Sequence, residues 1–252
     1  MSKAAGASAD AQNWQASRPH WGAWLAQGRV RSATLWRGVE AQHRIATLKI
    51  VDNLAEQELL ESLLEESKPA RPAGAEQMHY LLATPFRYIS PWPSRFRPAH
   101  EPGVWYGASE LRAACAEVGY WRWRFAADSD AFADEPVVSE LTFFTAHLRG
   151  RIVDLRAAPW AAFAAAWRHS SDYAACQALA HAARQAGVDG IRYTSVRDPS
   201  HGACAAVLRP HVLQVGDLTR QQTWTCVVRP TAVMMKPTAL GAEEQPWEFC
   251  FS

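Results

Sequence analysis

Segments rich in strand-forming residues outnumber helical segments in this chain, and the two kinds do not alternate along it. Regular alternation would favour a parallel sheet with helices wound on both faces. Its absence predicts an α+β fold, with a single domain built on one mixed sheet. The predicted strands are 33–39, 78–86, 103–108, 136–144, 150–155, 188–196, 203–208 and 223–228.

Local signals mark three predicted helices. Asn53, with Glu56 three residues later, forms a capping box before the leucine-rich segment 53–67. Ser109 is expected to cap a second helix, in which apolar residues recur at helical spacing. An Ala-rich helix is predicted between Asp172, as its cap, and Gly187, as its stop.

Composition excludes several classes of protein. A chain of 252 residues, 48% of them hydrophobic, can bury one sizeable core. Its formal net charge of +1 provides no basic field to attract nucleic acid. Five scattered cysteines without CxxC spacing predict neither a disulfide framework nor a metal site. The start lacks the apolar core of a signal peptide and no apolar run reaches bilayer length, so we expect a cytoplasmic protein without a membrane partner.

The stretch "SRFRPAHEPGVWYGASELRAACAE" concentrates candidate binding residues. Arg95 and Arg97 lie two residues apart and would share one side of an extended segment, where guanidinium groups suit phosphate oxygens. Tyr106 lies on the opposite side of its strand from Trp105 and could stack on a planar ring. Glu117 lies beside the apolar stripe of the next helix, where a half-buried carboxylate acts through a lowered dielectric. An exposed cation pair, a packed tyrosine and a boundary glutamate remain the ordinary alternatives.

Ser195 ends a predicted strand at "GIRYTSVRDP", a position where functional residues often collect. With Asp198 and His201 nearby, a hydrolase triad is one interpretation, although triads are defined in space and not by sequence proximity. A serine that caps or turns the chain is the simpler one. No GxGxxG, Walker, HExxH or GxSxG motif is present.

Together these motifs resemble those of the RES family, named for arginine, glutamate and serine. "RFRP", "GVWYGAS", an acid in the following helix and a late "DGIRYTSVRDP" occur in the family's order. Arg95, Tyr106, Glu117 and Ser195 match the four motif residues. Arg37 in "LWRGV" matches a further arginine near the family's start.

The resemblance implies a fold like that of ADP-ribosyltransferases and a reaction in which NAD⁺ is a consumed substrate and not a cofactor. It implies cleavage of the nicotinamide–ribose bond, with phosphate, water or a protein side chain as acceptor. By this resemblance Glu117 stabilises the ribosyl cation, and Arg95 with Arg37 holds the pyrophosphate. Tyr106 contacts the nicotinamide-ribose end, and Ser195 positions a ribose hydroxyl or the amide.

Family members are often toxins of toxin–antitoxin modules, so the resemblance implies a helix-turn-helix antitoxin as partner; homo-oligomerisation stays open. The alternatives are an ADP-ribosyltransferase acting on a specific protein and a degenerate member that only binds a nucleotide or a partner. Arg97 stands where the family usually has asparagine. We expect a flexible N-terminal extension (1–34), a RES-like NAD-processing domain (35–228, with an insertion at about 40–85) and a C-terminal tail (229–252).

Overall fold

The computed structural model describes residues 14–40, 51–128, 135–216, 221–239 and 244–251. Within them, nine strands form one sheet in the order β1-β2-β5-β4-β3-β7-β8-β9, with β6 paired to β3. Strands β3 and β4 pair in parallel, whereas β1 and β3 pair antiparallel. The strands are β1 (Arg29–Glu40), β2 (Trp105–Ala108), β3 (Val137–Asp154), β4 (Gly190–Thr194), β5 (Ala203–Val207), β6 (Leu213–Val215), β7 (Gln222–Val228), β8 (Ala232–Pro237) and β9 (Trp247–Cys250).

The helices contribute a second layer to this sheet. They are α1 (Trp21–Ala26), α2 (Leu54–Ser67), α3 (Tyr80–Arg87), α4 (Leu111–Ala127), α5 (Ala164–Trp167) and α6 (Ala174–Gln185). Short 3₁₀ turns occupy Arg18–His20, Trp160–Phe163 and Pro210–Val212. One mixed sheet with helices not placed in strict alternation is an α+β domain, so the predicted fold class is confirmed.

Strand β3 organises the sheet. It runs through both predicted strands 136–144 and 150–155 as one continuous element. Along one edge it pairs with twelve residues of β1, and it also pairs with β4, β6 and β7. Strand β1 in turn meets β2 at Trp36 and Ala108. Because β1 contacts both β3 and β2, the strands β1, β2, β5, β4 and β3 close into a ring.

Strand β2 separates two apolar clusters. Its fully buried Trp105 packs with Leu35 and Phe144 in one cluster. Val104 belongs to the other cluster, against which Tyr106 also packs. This follows from the alternation of side chains along a strand and confirms that Trp105 and Tyr106 lie on opposite sides.

The predicted strand 78–86 is wrong, because this segment forms helix α3. Its buried residues include Leu81, Leu82 and Phe86, a set that fits packing on one side of a helix better than strand alternation. His79 caps the helix by accepting a hydrogen bond from Leu81 N through Nδ1 (3.3 Å). Burial of these apolar side chains outweighed the β-propensity of the segment.

The predicted cap at Ser109 is also wrong. Ser109 N donates to Ala203 O (2.8 Å), so this residue prolongs the β2–β5 pairing. Glu110 is the N-cap residue of α4 and makes no capping bond through its side chain. Because Ser109 is still hydrogen-bonded to the residue next to it in the sheet, the helix begins two residues later, at Leu111.

The predicted cap of α2 and the predicted glycine stop of α6 are confirmed. Asn53 Oδ1 accepts a hydrogen bond from Glu56 N (3.0 Å) at the start of α2, as a capping box requires. The N-cap residue of α6 is Tyr173, one residue after the predicted cap, but Asp172 Oδ1 accepts a hydrogen bond from Ala174 N (2.9 Å). Gly187 follows that helix with φ of +70°, a conformation that glycine adopts at little cost.

Residues 14–34 of the predicted extension contain α1 and the first part of β1. Trp14, Trp21 and Leu25 are buried in the apolar cluster that also contains Val104. The segment after Arg229, which has no clear period, carries β8 and β9. Residues 1–13 of the extension, 41–50 of the predicted insertion, and 240–243 and 252 of the tail lie outside the described residues. Among the helices of the described ranges, none combines the length and apolarity that a bilayer span needs.

Candidate active site

A cavity of about 530 Å³ lies between β1, β2 and helix α4, and it is bordered by the loops that carry Arg95, Tyr173 and Arg197. Four of the five predicted site residues line this cavity: Arg37, Arg95, Tyr106 and Glu117. The fifth, Ser195, contacts Glu117. The charged and aromatic side chains that line the cavity include Trp36, Arg37, Arg95, Tyr106, Glu117, Trp121, Phe125, Tyr173 and Arg197.

Glu117 and Ser195 meet at this cavity although they lie 78 residues apart in sequence. Ser195 Oγ donates a hydrogen bond to Glu117 Oε1 (2.6 Å). Backbone amides of Arg197 (3.2 Å) and Asp198 (3.0 Å) donate to the same hydroxyl oxygen. With both acceptor positions of the hydroxyl used in this way, its single proton is directed at the carboxylate. Ser195 is therefore a fixed donor that orients Glu117.

The electrostatic environment of Glu117 has two opposing parts. Burial raises the pKa of this carboxyl above its ordinary value, and Asp198 adds to that effect. The Ser195 hydrogen bond and the charges of Arg95 and Arg197 act in the opposite direction, but burial dominates. A partly desolvated carboxylate interacts more strongly with a nearby positive charge than the same group in water.

Arg95 is buried, and two backbone oxygens and an aromatic ring hold its guanidinium group in place. Its Nη1 donates to the backbone oxygens of Trp167 (3.1 Å) and His169 (2.9 Å). Its guanidinium carbon lies 4.8 Å from the ring centroid of Tyr173, a cation–π distance. Because carbonyl oxygens and an aromatic face are neutral, these contacts fix the guanidinium without cancelling its charge.

Arg37 is held in a similar way on β1. Its Nη1 donates to Tyr106 O (2.8 Å), and its guanidinium carbon lies 5.4 Å from the Trp105 ring centroid. Burial lowers its pKa to about 10, so it remains charged at neutral pH. Within the described part of the chain, buried Arg37 Nε has no hydrogen-bond partner. Its neighbour Gly38 is required here, since a Cβ would lie 2.5 Å from the Phe143 ring.

Tyr106 contributes its ring to the cavity, but its hydroxyl is engaged with the loop that carries Arg95. The hydroxyl accepts a hydrogen bond from Phe96 N (3.0 Å) and lies 2.8 Å from Ser94 Oγ. Burial raises the pKa of Tyr106 to about 12, so the hydroxyl keeps its proton at neutral pH. Tyr106 thus fastens the turn 94–97 to β2.

The expectation that Arg95 and Arg97 lie on one side of an extended segment is wrong. Ser94 and Arg97 exchange both backbone hydrogen bonds (2.8 and 3.1 Å), which folds the segment into a tight turn. Arg97 does not line the cavity; its guanidinium donates to the backbone oxygens of Ser90 (3.1 Å) and Trp92 (2.5 Å). The residue that replaces the family's usual asparagine therefore holds its own loop.

Arg197 and Tyr173 are among the cavity residues that were not identified from the sequence. Arg197 donates to Tyr173 Oη (3.1 Å) and Ser170 O, and its guanidinium carbon lies 3.4 Å from the Tyr120 ring centroid. Arg197 is the arginine two residues after Ser195 in "TSVR", so the motif contained a signal for it. Tyr173, at the start of a helix, carried none.

The triad interpretation does not match the observed contacts. His201 Nδ1 lies 3.3 Å from the backbone oxygen of Ser195, and its Nε2 lies 3.1 Å from Arg168 Nη2. Asp198 Oδ2 and Oδ1 accept from the amides of Gly202 and Ser200. The proton of Ser195 Oγ is directed at Glu117 and not at an imidazole. Within the described ranges, no group of three or more His, Cys, Asp or Glu side chains could hold a metal ion.

The fold and the cavity define a class of protein: an α+β domain whose site pairs one oriented carboxylate with three guanidinium groups held by neutral acceptors. A protein-family model described as "RES domain" matches residues 68–229, well over half of the sequence. The chain belongs to the RES domain family.

A chain of the M. tuberculosis MbcT–MbcA toxin–antitoxin complex, solved by crystallography, is similar at 18% identity and a TM-score of 0.45. The likeness covers 83% of this chain and 92% of that one. No curated protein matches the sequence.

Proposed function

We propose that the protein cleaves the nicotinamide–ribose bond of NAD⁺, as the toxin of a toxin–antitoxin pair. Membership of the RES domain family supports this proposal. The observation that carries it is the Glu117 carboxylate, oriented by Ser195 at 2.6 Å on a cavity that Arg37, Arg95 and Arg197 also line.

The chemistry follows from the charge that the reaction creates. As the bond between ribose C1′ and the pyridinium nitrogen breaks, its electron pair stays with nicotinamide, which leaves as a neutral molecule. Positive charge develops on the ribose, as in glycoside hydrolysis. A fixed carboxylate stabilises that charge more in the transition state than in the ground state, because it forms only as the bond breaks. Glu117 performs this role, and no general acid is needed for the leaving group.

The guanidinium groups serve substrate binding. Arg37, Arg95 and Arg197 are held by carbonyl oxygens, a hydroxyl and aromatic faces, so their charges remain available to the cavity. Phosphate oxygens are suitable ligands for such groups. A pyrophosphate bound there would bring the attached nicotinamide riboside within reach of Glu117. Water or inorganic phosphate then attacks the same ribose carbon and releases a proton to solvent, which gives ADP-ribose or ADP-ribose 1″-phosphate.

The partner of the protein is part of the same proposal. Toxins of this family are neutralised by helix-turn-helix antitoxins, and we propose such a partner for this chain. Family membership is its support. A small helix-turn-helix protein encoded by a neighbouring gene would be the candidate; co-expression followed by size-exclusion chromatography tests it, and a stable complex that suppresses NAD⁺ loss is expected.

The cleavage proposal predicts a specific loss of activity in Glu117→Gln, which keeps the shape of the side chain and removes its charge. Nicotinamide release, followed by proton NMR with and without phosphate, should fall by about 100-fold or more. Glu58→Gln, a change at an exposed glutamate of α2, should retain the wild-type rate.

Three outcomes distinguish the alternatives. An intact NAD⁺ pool after prolonged incubation with concentrated wild-type protein contradicts cleavage. If calorimetry then detects NAD⁺ binding, the protein is a nucleotide-binding member of the family. A labelled protein band after incubation of labelled NAD⁺ with cell lysate identifies an ADP-ribosyltransferase.

A further inference from the structure

One face of helix α4 forms a continuous wall of the cavity. The cavity-lining residues of this helix recur at the spacing of a single helix face; they are Ala114, Glu117, Val118, Trp121, Arg122 and Phe125. Eight residues separate Glu117 from Phe125, so this part of the wall is about 12 Å long. Glu117 lies at one end of this part and Phe125 at the other.

The two ends of this wall differ in chemistry. Glu117 interacts with Arg95, Arg197 and Ser195, so its end is charged. About one and two turns further on, Trp121 and Phe125 line the cavity while 45% and 84% of their surfaces stay exposed. Single exposed aromatic residues are common, but two that share one helix face and one cavity form an apolar rim.

Strand β1 runs beside the helix in the same order. Arg37 approaches Tyr106, near the charged end. Three residues later, Glu40 Oε1 forms an ion pair with Arg122 Nη1 (2.8 Å), beside the aromatic rim. The separation of Arg37 and Glu40 along a strand is about 10 Å. Both walls therefore lead from the carboxylate and guanidinium groups to the rim.

We propose that Trp121 and Phe125 form a stacking subsite for the second nucleobase, the adenine, of a dinucleotide substrate. The inference rests on the proposed function, because it places the nicotinamide riboside at Glu117 and the pyrophosphate at the arginines. The distance of about 12 Å along α4 from Glu117 to Phe125 then brings the other nucleoside to the rim. Aromatic side chains bind nucleobases through their flat faces without requiring specific hydrogen bonds.

The test uses two probes and three variants of the full chain. ADP, which lacks nicotinamide, reports on the subsite by calorimetry without any need for catalysis. Nicotinamide mononucleotide, which lacks adenine, reports on the reaction without the subsite. Trp121→Ala and Phe125→Ala remove the rim one ring at a time, and Tyr80→Ala is the matched control, since its 49% exposed ring lies outside the cavity.

We expect each rim variant to raise the Kd for ADP by roughly fivefold or more, as loss of a base-stacking partner does. The kcat/KM for NAD⁺ should fall because KM rises while kcat is unchanged, since binding of a remote group stabilises the ground and transition states alike. The kcat/KM for nicotinamide mononucleotide should stay within about twofold, because this substrate lacks adenine. Tyr80→Ala should match the wild type with both probes.

Unchanged ADP affinity in both rim variants, or no ADP binding by the wild type, overturns the subsite. ADP binding that weakens in the rim variants, with no NAD⁺ turnover by the wild type, supports the subsite and contradicts the cleavage proposal.

Discussion

The hydrogen bond from Ser195 to Glu117 permits the sharpest test of the site. Ser195→Ala removes the donor that lies 2.6 Å from the carboxylate and leaves the backbone amides of Arg197 and Asp198 without this acceptor. A hydrogen bond to a charged group contributes about 1.5–3 kcal/mol. If that orientation energy is lost in the transition state, kcat/KM for nicotinamide release falls about 10- to 100-fold at neutral pH.

The same substitution shifts the pH dependence in a defined direction. Burial already raises the pKa of Glu117, and the Ser195 bond opposes that effect. The ionised carboxylate is the active form, so wild-type kcat/KM falls as the pH is lowered through the raised pKa. Without Ser195 the pKa rises further, and the acid limb of the profile moves to higher pH. Raising the pH above this limb should recover part of the lost rate.

The assay is kcat/KM for NAD⁺ across the acid and neutral range, followed by nicotinamide release. His201→Asn is the control, because asparagine tolerates the left-handed backbone at this position (φ 55°) and the imidazole has no role in the proposed reaction. It should keep the wild-type rate. A Ser195→Ala enzyme with the wild-type rate and an unmoved acid limb would refute the orienting role of Ser195.

Two further predictions concern the turn that carries Arg95. Tyr106→Phe keeps the ring but removes the hydroxyl that contacts Ser94 and Phe96 N. We expect KM for NAD⁺ to rise several-fold, because Arg95 loses its fixed position. If Tyr106 acts only by stacking, KM will be unchanged. Arg97→Asn restores the family's usual residue and removes two bonds to backbone carbonyls, so the free energy of unfolding measured in urea should fall by about 1–3 kcal/mol. Nicotinamide release by Arg97→Asn should stay within about twofold, and a large loss would place Arg97 in the substrate site.

The sequence predicted helix ends correctly where residues within three or four positions along the chain determine them. The capping box at Asn53 and the glycine stop at Gly187 both form, because a cap and a left-handed residue act over three or four positions. The strand prediction for segment 78–86 is wrong because local propensity does not include the tertiary packing of its apolar residues. Packing of Leu81, Leu82 and Phe86 in the core decided for the helix.

The sequence by itself determined the residue types of the candidate site. Its arginine, tyrosine, glutamate and serine stand in motifs that resemble those of the RES family, and Arg97 departs from that resemblance. The tertiary structure decided what each side chain does. It joins Ser195 to Glu117 across 78 residues, turns Arg97 away from the cavity and brings in Arg197 and Tyr173. Side-chain direction in a turn and contacts between distant segments depend on how the sheet and helices pack, and no local pattern of residues encodes that packing.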